Sequence, residues 1–329
     1  MDSISQFLMG SAMGQLVLGP KHQGKGALIG GIAGTLPDLD IIPLMGSSII
    51  TQLMHHRGVT HSLLFCIIAP LFFAWLSKRW LHWPISFKRW SVFWGLAFIT
   101  HTLLDLMTSW GTQIFWPYPA KVSLNALFII DPLITLPLLI GCCWSRIIKH
   151  YRPAAWGVLF TSLYMIFSLT ANAYMSHTFR QALTISNHTI QSIIVRPTPF
   201  NTLFWGTVAI TTDQHLVMGY ARLWDSPDSI SFSDPIPTHI DRLKPIIHRA
   251  DVQTLLTITN GFYAVSRIGT DIIIHDARFG TMGGWANSND HQYVFNYRFN
   301  TRTSEWTQDR PKMDRSNQQF QSLFHRIFN

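Results

Sequence analysis

Four apolar stretches, each near the length that crosses hydrocarbon, constrain this chain more than any other feature. They cover residues 62–76, 90–107, 124–144 and 154–174, where ~20 apolar residues are needed for a helix to span a bilayer. The first is short unless Trp75 and Trp80 anchor it at the interface. Two shorter apolar pieces precede them, residues 4–19 and 26–36, joined by a turn that holds Lys21 and Lys25. Gly26, Gly30, Gly31 and Gly34 allow close helix packing, so this pair reads as a short or re-entrant helical hairpin. Backbone groups in hydrocarbon must be satisfied within the segment, which selects helices. The expected fold is therefore mainly α, a polytopic transmembrane helical bundle over residues 1–175.

Charge is distributed to match. Only five of the 17 acidic residues lie before residue 176: Asp2, Asp38, Asp40, Asp105 and Asp131. The remaining 12 face 14 Lys and Arg in residues 176–329, so that stretch reads as a soluble domain. The net charge of +8 does not indicate nucleic acid, because its excess lies between apolar segments, where topology explains it. In the soluble part, residues 203–211, 216–224, 262–268, 271–275 and 292–299 read as strands, and 251–257 and 316–328 as short helices. This predicts a C-terminal soluble α+β domain. Cys66, Cys142 and Cys143 fall inside apolar runs and read as inert thiols. No basic segment precedes the first apolar run, so no cleavable signal peptide is expected.

The loops set the orientation. Lys78, Arg79, Lys88 and Arg89 lie between the first two long runs, and Arg146, Lys149 and Arg152 between the third and fourth. The intervening loop, residues 108–123, carries only Lys121. Positive charge retained inside makes the two basic loops cytoplasmic, and the C-terminal domain extracytoplasmic.

With that orientation the scarce polar residues of the first half fall on one side. Asp38 and Asp40 end the short hairpin in Pro37-Asp38-Leu39-Asp40. His55, His56, Arg57 and His61 precede the first long run. His101 and Asp105, four apart on one helix face, close the second. Asp131 opens the third, although before Pro132 it also fits an N-cap followed by proline at N1. Thr60 or Ser62 reads equally as a cap, and His101 with Asp105 as a satisfied intramembrane pair. An ionised carboxylate in hydrocarbon persists only when paired, solvated or coordinating. His and Asp together suit a divalent metal, zinc foremost, with manganese or iron as alternatives. Such an ion activates water as a nucleophile, and Arg57 offers a planar fork to a phosphate or carboxylate.

The segments Gly34–Asp40 (GTLPDLD), His55–Leu64 (HHRGVTHSLL), His101–Gly111 (HTLLDLMTSWG) and Phe128–Pro137 (FIIDPLITLP) occur in order. Together with the opening Asp2–Gln6 and with Gly111-Thr112-Gln113, they resemble the YdjM/YfhP-like family of membrane-bound metal-dependent hydrolases. The likeness covers about residues 1–175. It implies a bacterial inner-membrane hydrolase with metal ligands among Asp38, Asp40, His56, His61, His101 and Asp105. Asp105 is expected to serve catalysis as well, beside Arg57. A remoter similarity to helical zinc phospholipase C and nuclease folds implies phosphoester cleavage. Two departures stand out: many relatives carry His at the position of Gln6 and an acid at that of Gln15, so neither is counted as a ligand.

The expectation is a metal-dependent hydrolase of phosphoester bonds in a membrane lipid or lipid-linked substrate, open at the outer membrane face. The alternative is a non-enzymatic membrane regulator or scaffold that binds a protein partner of the LexA type, since the naming of the family it resembles mentions binding to the SOS repressor LexA. That alternative needs cytoplasmic surface, of which only short basic loops are expected. A proton or ion pathway fits less well, because the ionisable residues gather at one face. In the soluble part, Asp276-Ala277-Arg278-Phe279-Gly280 reads as a turn-like structural motif. His215, His239, His248, His275 and His291 show no ligand spacing.

Overall fold

Asp2 starts the first helix, its carboxylate accepting from the backbone N–H groups of Ile4 and Ser5. That helix, α1 (Ser3–Val17), packs against α2 (Gln23–Thr35) through glycine on both sides. A Cβ on Gly30 would collide with the Gly10 carbonyl, one on Gly34 with that of Gln6, and one on Gly14 with that of Gly26. The two backbones therefore touch, the arrangement that small residues permit. The computed structural model describes residues 1–19, 22–286, 292–309 and 317–328. Lys21 of the expected turn, His291 and Ser316 lie outside them.

Two units are distinguished. The first comprises Met1–Met45, His55–Leu169 and Pro199–Asn201; the second comprises Gly46–Met54, Thr170–Thr198 and Thr202–Asn329. Beyond α2 the chain tightens into a 3₁₀ stretch, Leu36–Leu44, with Pro37 near its start. The short helix α3 (Ile49–His55) follows, then α4 (Leu63–Leu81), α5 (Phe87–Leu106), α6 (Pro132–Ile148) and α7 (Arg152–Ile185). Among the described residues three helical stretches are long and apolar enough to cross a membrane: Gly24–Leu44, Leu63–Leu81 and Arg152–Ile185. Pro132–Ile148 is apolar but shorter. The helix α5 has the length, but Lys88, Arg89, His101 and Asp105 lower its hydropathy.

The first unit is apolar on its outside. Ile67, Ile68, Leu71, Phe72 and Trp75 of α4 are exposed, as are Ile140 and Trp144 of α6 and Trp156 and Leu163 of α7. Patches of that kind do not persist in water on an unpartnered protein. Its interior holds two cores. One gathers Leu8, Met13, Leu104, Leu127, Ile134 and Leu138; the other is aromatic, around Trp90, Phe93, Trp94 and Phe98.

The second unit contains two antiparallel four-stranded sheets, each in simple sequential order. The first is β1 (Ile190–Pro197), β2 (Phe204–Thr211), β3 (His215–Arg222) and β4 (Ile236–Pro237). The second is β5 (Tyr263–Ile268), β6 (Asp271–Thr281), β7 (Tyr293–Asn300) and β8 (Glu305–Asp309). Met175, Phe179 and Ala182 of α7 bury against Val195, Trp205 and Ala221 of the first sheet. Val252 and Leu255 of α8 (Ala250–Ile258) bury with Ile272, Ile274, Tyr297 and Phe299 of the second, and Ile50 of α3 joins them. A last helix, α9 (Asn317–Phe328), sets Leu323 and Ile327 against Phe204. Five strands and both helices stand close to where the sequence places them; β1, β4 and β8 were not anticipated.

The glycine crossing makes a sharp prediction. Gly30→Val should lower the unfolding midpoint of the detergent-purified protein, a loss of about 1–3 kcal/mol or more from overpacking. Gly95→Ala is the control, since its Cβ would find only Pro70 at 3.8 Å. Equal midpoints for the two variants would contradict the crossing.

Candidate metal centre

Four separate pieces of backbone deliver the polar cluster of the first unit. The 3₁₀ stretch after α2 supplies Asp38 and Asp40. With about three residues per turn, positions two apart point roughly 120° apart, so the two carboxylates cannot face one target. Asp38 turns toward His61 and His101, and Asp40 toward His56 and Thr60. Arg57 stands in left-handed backbone, φ 61°, just before Gly58. That kink feeds the single turn Val59–His61, after which Ser62 caps α4 by accepting from the N–H of Phe65. His101 and Asp105 come from successive turns of α5.

One ligand atom from each of Asp38, His61, His101 and Asp105 lies within 4.8 Å of all the others. His61 Nε2 is 3.0 Å from His101 Nε2, 3.1 Å from Asp105 Oδ2 and 3.3 Å from Asp38 Oδ1. His101 Nε2 is 3.5 Å from Asp38 Oδ1 and 3.6 Å from Asp105 Oδ2. Ligands at 2.0–2.1 Å from a tetrahedral zinc stand about 3.3 Å from one another, so the set has the right size. The side chains of His61, His101 and Asp105 are fully buried, and that of Asp38 is partly open.

The hydrogen bonds around the imidazoles fix their tautomers. His101 Nδ1 is 2.6 Å from the Gly34 carbonyl, which can only accept, so the proton is on Nδ1. Thr60 gives its hydroxyl proton to Asp40 at 2.8 Å, and so accepts from His61 Nδ1 at 2.9 Å. As neutral rings both would present a lone pair at Nε2, the two facing each other at 3.0 Å. Lone pairs held so close require a proton on one ring or a metal ion between them. Asp105 Oδ2 adds to the demand: it is buried and makes no hydrogen bond among the described residues, although Arg57 Nε lies 3.1 Å away. Burial opposes charge on His61, yet the carboxylates of Asp105 and Asp38 outweigh it and push its pKa above the usual imidazole value. The cluster is built to hold positive charge, and the residues fit a divalent metal.

Asp40 and His56 stand beside this group. Asp40 accepts from His56 Nδ1 at 2.7 Å and from the backbone N–H of Arg57 at 3.0 Å, as well as from Thr60. It acts on His61 through Thr60, as a partner that fixes a ligand's tautomer does. Arg57 is buried, with its NH1 donating to Thr108 at 3.2 Å. Asp131 is the N-cap of α6, accepting from Leu133 N–H and from the Tyr164 hydroxyl, and takes no part in the cluster. His55 is likewise absent from it. Gln6, discounted for lacking a ligand side chain, donates to Asp105 Oδ1 at 3.1 Å and to the His101 carbonyl at 3.2 Å. The amino group of Met1 also contacts Asp105 Oδ1. Gln15 donates to the Cys142 carbonyl instead.

A family profile described as YdjM inner membrane protein matches residues 1–175. Inner membrane protein YbcI of Escherichia coli (strain K12) is 28% identical over 111 residues, 34% of this chain and 61% of that protein. Uncharacterized protein YfhP of Bacillus subtilis (strain 168) is 27% identical over 215 residues, 60% of this chain and 62% of that protein. The chain thus spans about three fifths of the length of these curated relatives. No solved structure matches.

The two rings of residues predict different losses. His101→Ala should abolish tight zinc binding by the purified protein. Asp40→Ala should weaken it about 10–100-fold, as the loss of a ligand's orienting partner does. Zinc titration against a competing chelator separates them, and equal affinities for both variants would refute the assignment.

Proposed function

The chain belongs to the family of the YdjM inner membrane protein, and on that premise we propose that it is a membrane-bound metal-dependent hydrolase of phosphoester bonds. Its substrate is a membrane lipid or lipid-linked molecule, and its centre opens at the extracytoplasmic face of the bacterial inner membrane. The facing Nε2 lone pairs of His61 and His101, flanked by Asp38 and Asp105, carry the reading. The exposed apolar flanks of α4, α6 and α7 support a multi-pass arrangement, and the basic loops support its orientation.

A divalent ion bound by these four side chains supplies Lewis-acid polarisation of a phosphoester and a water that is nucleophilic near neutral pH. The residues of the chain do the rest. Asp40, through Thr60, holds the His61 ring with Nε2 inward, and the Gly34 carbonyl does the same for His101. Arg57 is locked by Thr108 and by the Asp105 carboxylate, with its backbone N–H tied to Asp40. Two of its nitrogens are so engaged, and NH2 remains for a phosphate oxygen beside the centre. Preorganised charge of this kind, in a site poor in water, stabilises the phosphoryl transition state without reorganisation. Asp105 thus has two tasks: it ligates the ion and it aims Arg57.

Purified protein loaded with zinc or manganese should hydrolyse a chromogenic phosphodiester and a phospholipid, and lose both activities to a chelator. Arg57→Lys should lower turnover about 100-fold while leaving metal content intact, because a lysine cannot reproduce the two-sided fork. Metal-loaded protein that cleaves no phosphoester would reject the proposal. For topology, alkaline phosphatase fused at the C-terminus should be active in cells; an inactive, stable fusion would place the second unit in the cytoplasm.

A further inference from the structure

The second unit carries a half-buried basic group that nothing in the proposed hydrolase uses. Arg196 of β1, Gly206 of β2 and Tyr220 of β3 form one row across the first sheet. Gly206 leaves room for the Tyr220 ring, which would lie 2.9 Å from a Cβ there. The end of β6 comes to the same place. Its pairing with β7 slips between Asp276 and Thr281, a bulge that turns through Gly280 at φ 61°. A Cβ on Gly280 would sit 2.5 Å from Arg196 NH2, and one on Gly284 would sit 2.5 Å from the Tyr220 hydroxyl. Three glycines therefore vacate the space that an arginine and a tyrosine fill. Thr281 completes the group, its hydroxyl bonded to that of Tyr220.

Among the described residues the charges there do not balance. Asp276 is the acid that acts on Arg196, but Arg278 consumes it: Nε donates to Oδ1 at 3.0 Å, NH2 to Oδ2 at 2.7 Å, and the Arg278 backbone N–H to Oδ1 at 3.1 Å. Arg196 makes no side-chain hydrogen bond or ion pair among the described residues, and its Nε is buried without a partner. Burial lowers its pKa, the mark of a charge short of compensation, although a guanidinium stays protonated. A guanidinium whose Nε is shut from water without an acceptor carries a cost that an incoming anion would remove. The rest of the group offers the hydroxyls of Tyr220 and Thr281.

We propose that Arg196, Tyr220 and Thr281 form a binding site for an oxyanion, a carboxylate or a phosphate group, at the β6 bulge of the C-terminal domain. The planar fork of Arg196 takes two oxygens, and the hydroxyl pair of Tyr220 and Thr281 turns to donate to one more. The motif Asp276–Gly280 builds the site: Asp276 neutralises Arg278, and Gly280 admits the Arg196 fork.

Calorimetric titration of the full-length, detergent-purified protein with inorganic phosphate, and separately with acetate at matched ionic strength, tests this. The wild type should bind at least one of the two, which also identifies the oxyanion class. Arg196→Met should bind at least roughly tenfold more weakly, and Tyr220→Phe, which keeps the ring, roughly fivefold more weakly. His101→Ala, which removes the proposed metal centre, should bind as the wild type does, so the outcome is independent of the hydrolase reading. The proposal is overturned if the wild type binds neither anion, if Tyr220→Phe and Arg196→Met both bind as the wild type does, or if His101→Ala alone abolishes binding.

Discussion

Two imidazole Nε2 atoms held 3.0 Å apart in a buried site, beside two carboxylates, are the constraint on which the first unit depends. Neither ring can turn away. His101 is pinned by the Gly34 carbonyl and His61 by Thr60, itself anchored on Asp40. With both rings neutral the arrangement is repulsive, so a proton or a metal ion must sit among these atoms, and two carboxylates, one fully buried, stand ready to balance its charge. A merely structural pairing of these residues would let each histidine donate to its own aspartate. His101 opposes that, because its Nδ1 proton is spent on the Gly34 carbonyl.

The surrounding fold serves this geometry. Gly34 can offer its carbonyl to His101 because α1 and α2 cross backbone to backbone, with no side chain between them. The same crossing brings Gln6 of α1 to Asp105. The tighter winding after Thr35 then splits Asp38 from Asp40, sending one to the ligand group and the other to its supporting ring. The left-handed turn at Arg57 lets one short segment bring both the Arg57 guanidinium and, four residues on, the His61 ring to Asp105.

Much of this is legible in the sequence, because membranes make polar residues scarce. With only five acids in 175 residues, the convergence of Asp38, His61, His101 and Asp105 follows from where the apolar runs begin and end. What was not legible depends on finer geometry. Asp38 and Asp40 look equivalent until the 3₁₀ winding separates them. Gln6 carries no ligand atom of the usual kind, and only the glycine crossing reveals that it braces Asp105. The α7 helix runs to Ile185, past the apolar stretch ending near residue 174, because its last turns bury Phe179 and Ala182 against a sheet. Residues 49–53 lie in none of the sequence motifs, yet Ile50 lies in the core of the second unit. β1 escaped notice because its pattern of exposure is irregular, and β8 because it is short and polar.

The most direct test of the account is X-ray absorption spectroscopy at the metal edge of protein purified without added chelator. The account predicts a bound divalent ion with a nitrogen and oxygen shell at about 2.0–2.1 Å, two imidazole scattering patterns and no sulfur. That signature should be present in wild type and lost in His61→Ala. A sulfur-containing shell, or stoichiometric protein that binds no divalent metal when one is supplied, would contradict it.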